Sequence, residues 1–178
     1  MGNSLLEKAA KIRMLLLDVD GVMTNGQVLL LPNGEELKAF SIHDGFGIVS
    51  AMQTGVGIGI ISGRSSAALK QRCEELHIKD LYMDVMDKLP VLEEIAKRHQ
   101  LSYEEIAFIG DDVPDLPVLE RVGFSAAPQN AHKHVKNRVD LVLQKSGGEG
   151  AVREFIDFLL TAQEKERVLL QQFTTKLD

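Results

Sequence analysis

The sequence predicts an α/β fold, a Rossmann-like, doubly wound parallel sheet with a β-hairpin inserted early in the chain. Three observations carry this. Strand-length apolar runs alternate with stretches of helical period. The runs at 14–18, 56–61 and 106–109 are nearly continuous in Leu, Ile, Val, Met and Phe, as expected of strands covered on both faces. Pro32-Asn33-Gly34, a turn signal, lies between two strand-like segments at 28–31 and 36–41.

Each element follows in order. Residues 4–11 read as a short leading helix and 14–18 as a buried strand ending in an acid. The hairpin spans about 26–41. Residues 45–54 form a helix and 56–61 a second buried strand. Ser65 is placed to cap a helix running to about residue 76. A short strand at 80–83 precedes an amphipathic helix at 88–99, with Leu89, Leu92, Ile95 and Ala96 on one face. Ser102 and Glu105 have capping-box spacing, and 106–109 is the third buried strand. A helix over 115–122, strands at 124–126 and 141–143, and a helix over 131–136 follow. A long helix from 150 to about 172 closes the chain.

Composition narrows the function. The chain has 178 residues, a length that suits a single domain over 1–178. With no Trp and 5% aromatics, aliphatic side chains must fill the core. The net charge of −6, without a dense Lys/Arg stripe, makes nucleic acid a poor partner. No apolar run approaches the length of a membrane span, and the first residues lack the apolar region of a secretory signal. The single cysteine, Cys73, excludes an intrachain disulfide and fits a reducing cytoplasm.

Chemistry is concentrated where three apolar strands end, the place at which open α/β sheets bind ligands. After the first strand comes Asp18-Val19-Asp20-Gly21. A strand-end aspartate can attack phosphorus and form an acyl-phosphate. A second aspartate two residues on can protonate the leaving oxygen and then activate water. After the second strand, Ser62-Gly63-Arg64 can hold a phosphate oxygen through the hydroxyl and backbone N–H groups. After the third, Asp111, Asp112 and Asp115 crowd together; an all-oxygen acidic set of this kind suits Mg²⁺ better than zinc. Lys88 stands between the second and third motifs, at a helix start.

This order of motifs resembles the haloacid dehalogenase superfamily over most of the chain. The resemblance implies Asp18 as nucleophile, Asp20 as acid/base, and Ser62 and Lys88 as holders of the phosphoryl group. It implies Mg²⁺ on the Asp18 and Asp111 carboxylates and the Asp20 carbonyl, with Asp112 and Asp115 supporting them from behind. The intervals from Asp18 to Ser62 and from Lys88 to Asp111 are used up by the elements assigned to them, so no cap domain is expected.

Four segments, FSIHDGFGI (40–48), SGR (62–64), GDDVPDLPVL (110–119) and GGEGAVREF (147–155), resemble one family within that superfamily. It is the family of 3-deoxy-D-manno-octulosonate 8-phosphate phosphatases. This implies a phosphorylated sugar acid as substrate and a homotetramer assembled through the hairpins. It also implies substrate contacts at Asp20, Ser41, Ile42, His43, Asp44, Gly45, Gly63, Arg64, Arg72 and Lys88. Arg64 and Arg72 suit a sugar carboxylate, since the guanidinium fork matches its plane. Two positions depart from the family: His43 stands where it usually has Arg, and Val49 where it often has Lys. A related branch acting on nine-carbon keto-sugar-acid phosphates tends to carry Glu at the position of Arg64. Such a nine-carbon substrate stays open as an alternative, as does a non-catalytic phosphatase-like oligomerisation module.

Overall fold

The computed structural model describes residues 2–167 and 171. Its frame is a six-stranded, all-parallel sheet in the order β5-β4-β1-β6-β7-β8. The strands are β1 (Met14–Leu17), β4 (Gly57–Ile61), β5 (Asp80–Tyr82), β6 (Ile106–Ile109), β7 (Phe124–Ala127) and β8 (Leu141–Val142). The hairpin is a separate antiparallel pair, β2 (Leu29–Leu30) and β3 (Glu36–Leu37), with Leu29 opposite Leu37.

Alternation along β1 divides the core in two. Leu15 and Leu17 point into one layer with Ile58, Ile60, Ile109 and Phe124; Met14 and Leu16 point into the other with Ile61, Ile106 and Phe108. The first layer is closed by helices α1 (Gly2–Ala10), α2 (Ile42–Gln53), α3 (Ala67–Glu75) and α7 (Ala151–Ala162). The second is closed by α4 (Leu89–His99), α5 (Leu116–Leu119) and α6 (Lys133–Lys136). On α7, Val152, Phe155, Ile156, Leu159 and Leu160 are buried. Burying each such side chain is worth about 1.5–3 kcal/mol, and together they press α7 against α2.

Several boundaries differ from the sequence expectations for local reasons. Helix α2 starts at Ile42 rather than 45, because the Ser41 hydroxyl accepts from the Asp44 N–H and caps it. The cap of α3 is Ser66, not Ser65. The helix expected over 115–122 is a 3-10 turn (Val113–Asp115) followed by the single turn α5, with Pro near the start of each. The closing helix is broken after Ala162 where an unbroken run to 172 was expected, and Glu166, Arg167 and Gln171 are again helical. Glu164 takes a left-handed conformation, and the Gln163 amide donates to the carbonyls of Ala9 and Ile12. Part of the stretch expected to continue it, residues 168–170 and 172, lies outside the described residues.

Between β1 and β4 the chain holds only the hairpin and α2, and between β5 and β6 only α4 and a 3-10 turn. Among the described residues, no helix is long and apolar enough to cross a membrane.

Candidate active site

The carboxyl ends of β1, β4 and β6 lie side by side, and each delivers one of the predicted motifs. Asp18 follows β1 directly; its N–H donates to the Ile109 carbonyl at 3.0 Å, which pins it to the end of β6. The chain then winds tightly, with the N–H groups of Val22, Met23 and Thr24 all directed at the Val19 carbonyl. Gly21 adopts φ +98°, and a Cβ there would overlap the Asp111 carboxylate. Glycine is therefore needed both for the turn and for the approach of Asp111.

One cavity of about 310 Å³ opens over these ends. Asp18, Asp20 and Lys88 line it with Gly63 and Arg64 from the loop after β4. Asp111, Asp112 and Asp115 form the opposite wall, and Val85, Met86 and Pro114 give it an apolar rim. Lys88 is buried at its base, with its ammonium donating to Asp18 and, at 2.6 Å, to Asp115. Burial works against that ammonium, but the two carboxylates outweigh it and hold its pKa above the ordinary value.

The acids are short of positive charge. Asp18, Asp111 and Asp115 each present a carboxylate oxygen, all within 4.8 Å of one another. Burial pushes the Asp18 pKa up to about 7, against the pull of Lys88. Burial, reinforced by Asp18, Asp115 and Asp112, pushes Asp111 up to about 8. The Asp115 carboxylate is already used: one oxygen takes Lys88, the other the N–H groups of Asp111 at 2.9 Å and Asp112 at 3.3 Å. Asp111, by contrast, accepts no hydrogen bond on its side chain among the described residues. Oxygen-only ligands with excess negative charge and a half-buried carboxylate that accepts no hydrogen bond fit a hard divalent cation.

Ser62 is placed less simply. Its buried hydroxyl donates to the Arg64 carbonyl at 2.9 Å and accepts from the Arg64 N–H at 3.2 Å, so it closes its own loop behind the cavity wall.

The remaining predicted residues gather elsewhere. Ser41, Ile42, His43, Asp44 and Gly45 form the first turn of α2, outside the Asp18 cavity. Arg72 of α3 meets this turn: its guanidinium donates to the Ser41 carbonyl at 3.4 Å, and a Cβ on Gly45 would overlap it. His43 lines a second cavity of about 470 Å³ with Lys145, Glu149 and Arg153 at the start of α7. Asp44 is buried and accepts from the Arg153 N–H at 2.7 Å.

A haloacid dehalogenase-like hydrolase model matches residues 80–156. KdsC of Escherichia coli K12, a 3-deoxy-D-manno-octulosonate 8-phosphate phosphatase, is 42% identical over 160 residues, which are 90% of this chain and 85% of that protein. The crystal structure of the Moraxella catarrhalis enzyme of that name, in complex with magnesium, phosphate and KDO, superposes with a TM-score of 0.95 at 34% identity. It covers 98% of this chain and 100% of its own. The Yersinia pestis enzyme superposes with a TM-score of 0.92 at 40% identity, covering 93% and 89%. The chain belongs to the 3-deoxy-D-manno-octulosonate 8-phosphate phosphatase family of haloacid dehalogenase-like hydrolases.

Two residues that the motifs did not reveal pair with side chains lining the Asp18 cavity. Glu36 and Lys38, on the hairpin, reach back to the cavity. Lys38 donates to Asp20 and pairs with Glu36 at 2.7 Å, and Arg64 donates to Glu36 at 2.9 Å. The signal available was their spacing, which puts both on one face of a strand with Leu37 on the other. Of the family departures, Val49 is half-buried against the α2–α7 core.

Proposed function

We propose that this chain is a magnesium-dependent phosphatase that converts 3-deoxy-D-manno-octulosonate 8-phosphate to 3-deoxy-D-manno-octulosonate and phosphate. The observation that carries the reading is the placement of Asp18 beside Lys88 and Asp111 in one cavity that also holds Asp20 and Arg64. The family relationship supplies the substrate.

Magnesium, when held by the Asp18 and Asp111 carboxylates and the Asp20 carbonyl, supplies positive charge that lets an anionic nucleophile meet an anionic phosphate. Lys88 adds a second positive charge and orients the Asp18 carboxylate. An Asp18 oxygen forms a bond to phosphorus as the bond from phosphorus to the sugar oxygen breaks. Asp20 gives its proton to that oxygen. Water then attacks the phosphorus of the aspartyl-phosphate, Asp20 takes a proton from it, and phosphate leaves with the Asp18 carboxylate restored. Asp115 fixes Lys88, and the Gly63 N–H, on the loop that Ser62 and Arg64 close between them, is left to take a phosphoryl oxygen. Arg64, with its side chain half exposed, is placed to take the sugar carboxylate. Asp18→Asn is expected to abolish turnover while leaving the fold intact by circular dichroism; turnover within about tenfold of wild type would contradict covalent catalysis by Asp18.

The enzyme is read as a single capless domain acting in the cytoplasm, on a precursor of lipopolysaccharide. Without a cap, closure of the cavity falls to other copies of the chain. Leu29, Leu30 and Leu37 on the hairpin are each more than half exposed, which supports a homotetramer joined there. In that assembly the first turn of α2, with Ser41 and His43, and the Arg72 of α3 that meets it are available to a neighbouring cavity. Light scattering at micromolar concentration is expected to give four times the chain mass; a monomer would refute the tetramer.

A further inference from the structure

The hairpin reaches the cavity through charge as well as carrying an apolar outer face. Lys38 has only 2% of its side chain exposed. Burying a long cationic side chain is costly in rotamer freedom and in desolvation unless carboxylates meet it. Two do, Asp20 and Glu36. Glu36 uses its other oxygen for Arg64, and the Arg64 Nε stands 3.9 Å from the Asp20 Oδ2. The four charges alternate in sign around a closed ring. Within it, the Asp20 Oδ1 is taken by Lys38, whereas the Arg64 Nε is too far from Oδ2 for a hydrogen bond. The two Asp20 oxygens are thus made unequal, one tethered and one available to carry a proton.

We propose that Lys38 is a positioning residue for Asp20: it tethers Oδ1, supported by Glu36, so that Oδ2 faces the leaving oxygen of the substrate. The inference rests on the reading of Asp20 as acid/base. In the first half-reaction the Oδ2–H bond breaks as the O–H bond of the sugar alcohol forms. In the second, Oδ2 takes a proton from the attacking water. A general acid contributes about 10²–10⁴-fold when well placed, and a carboxyl free to rotate forfeits part of that. An exposed ion pair would matter little, but the burial of Lys38 means that its loss changes the orientation of Asp20 rather than a solvated contact.

Leaving groups separate this role from a structural one. The p-nitrophenolate ion departs without a proton, whereas the alkoxide of a sugar primary alcohol needs one. Lys38→Met, Asp20→Asn and the wild type are compared in rapid-mixing single turnovers with p-nitrophenyl phosphate and with 3-deoxy-D-manno-octulosonate 8-phosphate. For Lys38→Met the first release of p-nitrophenolate should stay within about threefold of wild type. Release of the sugar should slow by about 10–100-fold, and Asp20→Asn should show the same preference more strongly. Equal slowing on both substrates in Lys38→Met, or no slowing on either, overturns the inference while Asp20→Asn still discriminates. If Asp20→Asn slows both substrates alike, the acid/base reading fails and the inference with it. Should Lys38→Met not fold, Glu36→Gln keeps the side-chain volume and removes the second partner of Lys38. It must then show the same preference on a smaller scale, and equal slowing there overturns the inference.

Discussion

The backbone N–H of Arg153 donates to the Asp44 carboxylate at 2.7 Å, so a residue in the first turn of α2 caps the start of α7. The N-cap residue of α7 itself, Gly150, has no side chain for the task. This contact fixes the first turn of α2, which carries His43, relative to the 147–155 segment.

Loss of that cap has a defined cost. Asp44→Ala is expected to destabilise the protein by about 0.5–2 kcal/mol, the range measured for N-cap removal. Asp44→Asn keeps an oxygen acceptor and should lose less. Urea unfolding midpoints check both, and an Asp44→Ala midpoint equal to wild type would remove the capping role.

The acidic cluster makes stability depend on pH and metal together. Burial raises the pKa of Asp18, Asp111 and Asp44, to about 7 for Asp18 and about 8 for Asp111. A carboxyl whose folded pKa exceeds its unfolded value holds its proton more tightly when folded. Its contribution is fully present below the unfolded pKa of 3.8 and is lost as pH rises through the folded value. Metal-free protein should therefore melt at a lower temperature at pH 8 than at pH 5. Magnesium binds the ionised carboxylates, so the increase in Tm on replacing EDTA by Mg²⁺ should widen over the same interval. Calorimetry at the two pH values decides, and a metal-free Tm that rises from pH 5 to pH 8 would contradict the account.

The parts of the site legible in the sequence are those in which local chemistry and position coincide. Asp18, Ser62 and Asp111 sit at or just beyond the ends of buried strands, and a parallel sheet brings such ends together whatever the details of its helices. The capping box at Ser102 and Glu105 was likewise readable, being a short-range hydrogen-bond pattern. The return of the hairpin was not. Its apolar residues announce an outer face, but the inward reach of Glu36 and Lys38 depends on the tilt of the hairpin against the loop after β4, which no local pattern encodes. The same holds for Asp44. Its neighbours suggest a ligand contact, whereas its cap to α7 bridges segments far apart in sequence. The break in the closing helix was not legible because helical periodicity continues past Gln163, whose amide turns instead to the Ala9 and Ile12 carbonyls.

The central claim is tested most directly by phosphate release from 3-deoxy-D-manno-octulosonate 8-phosphate, with Mg²⁺ and with EDTA, beside a panel of sugar phosphates that includes nine-carbon keto-sugar-acid 9-phosphates. Rapid release from the octulosonate ester, abolished by EDTA and much slower on the rest of the panel, is the predicted result. Metal-dependent release from another ester alone would contradict the substrate and direct attention to His43 and Val49, and no release from any ester would contradict the phosphatase itself.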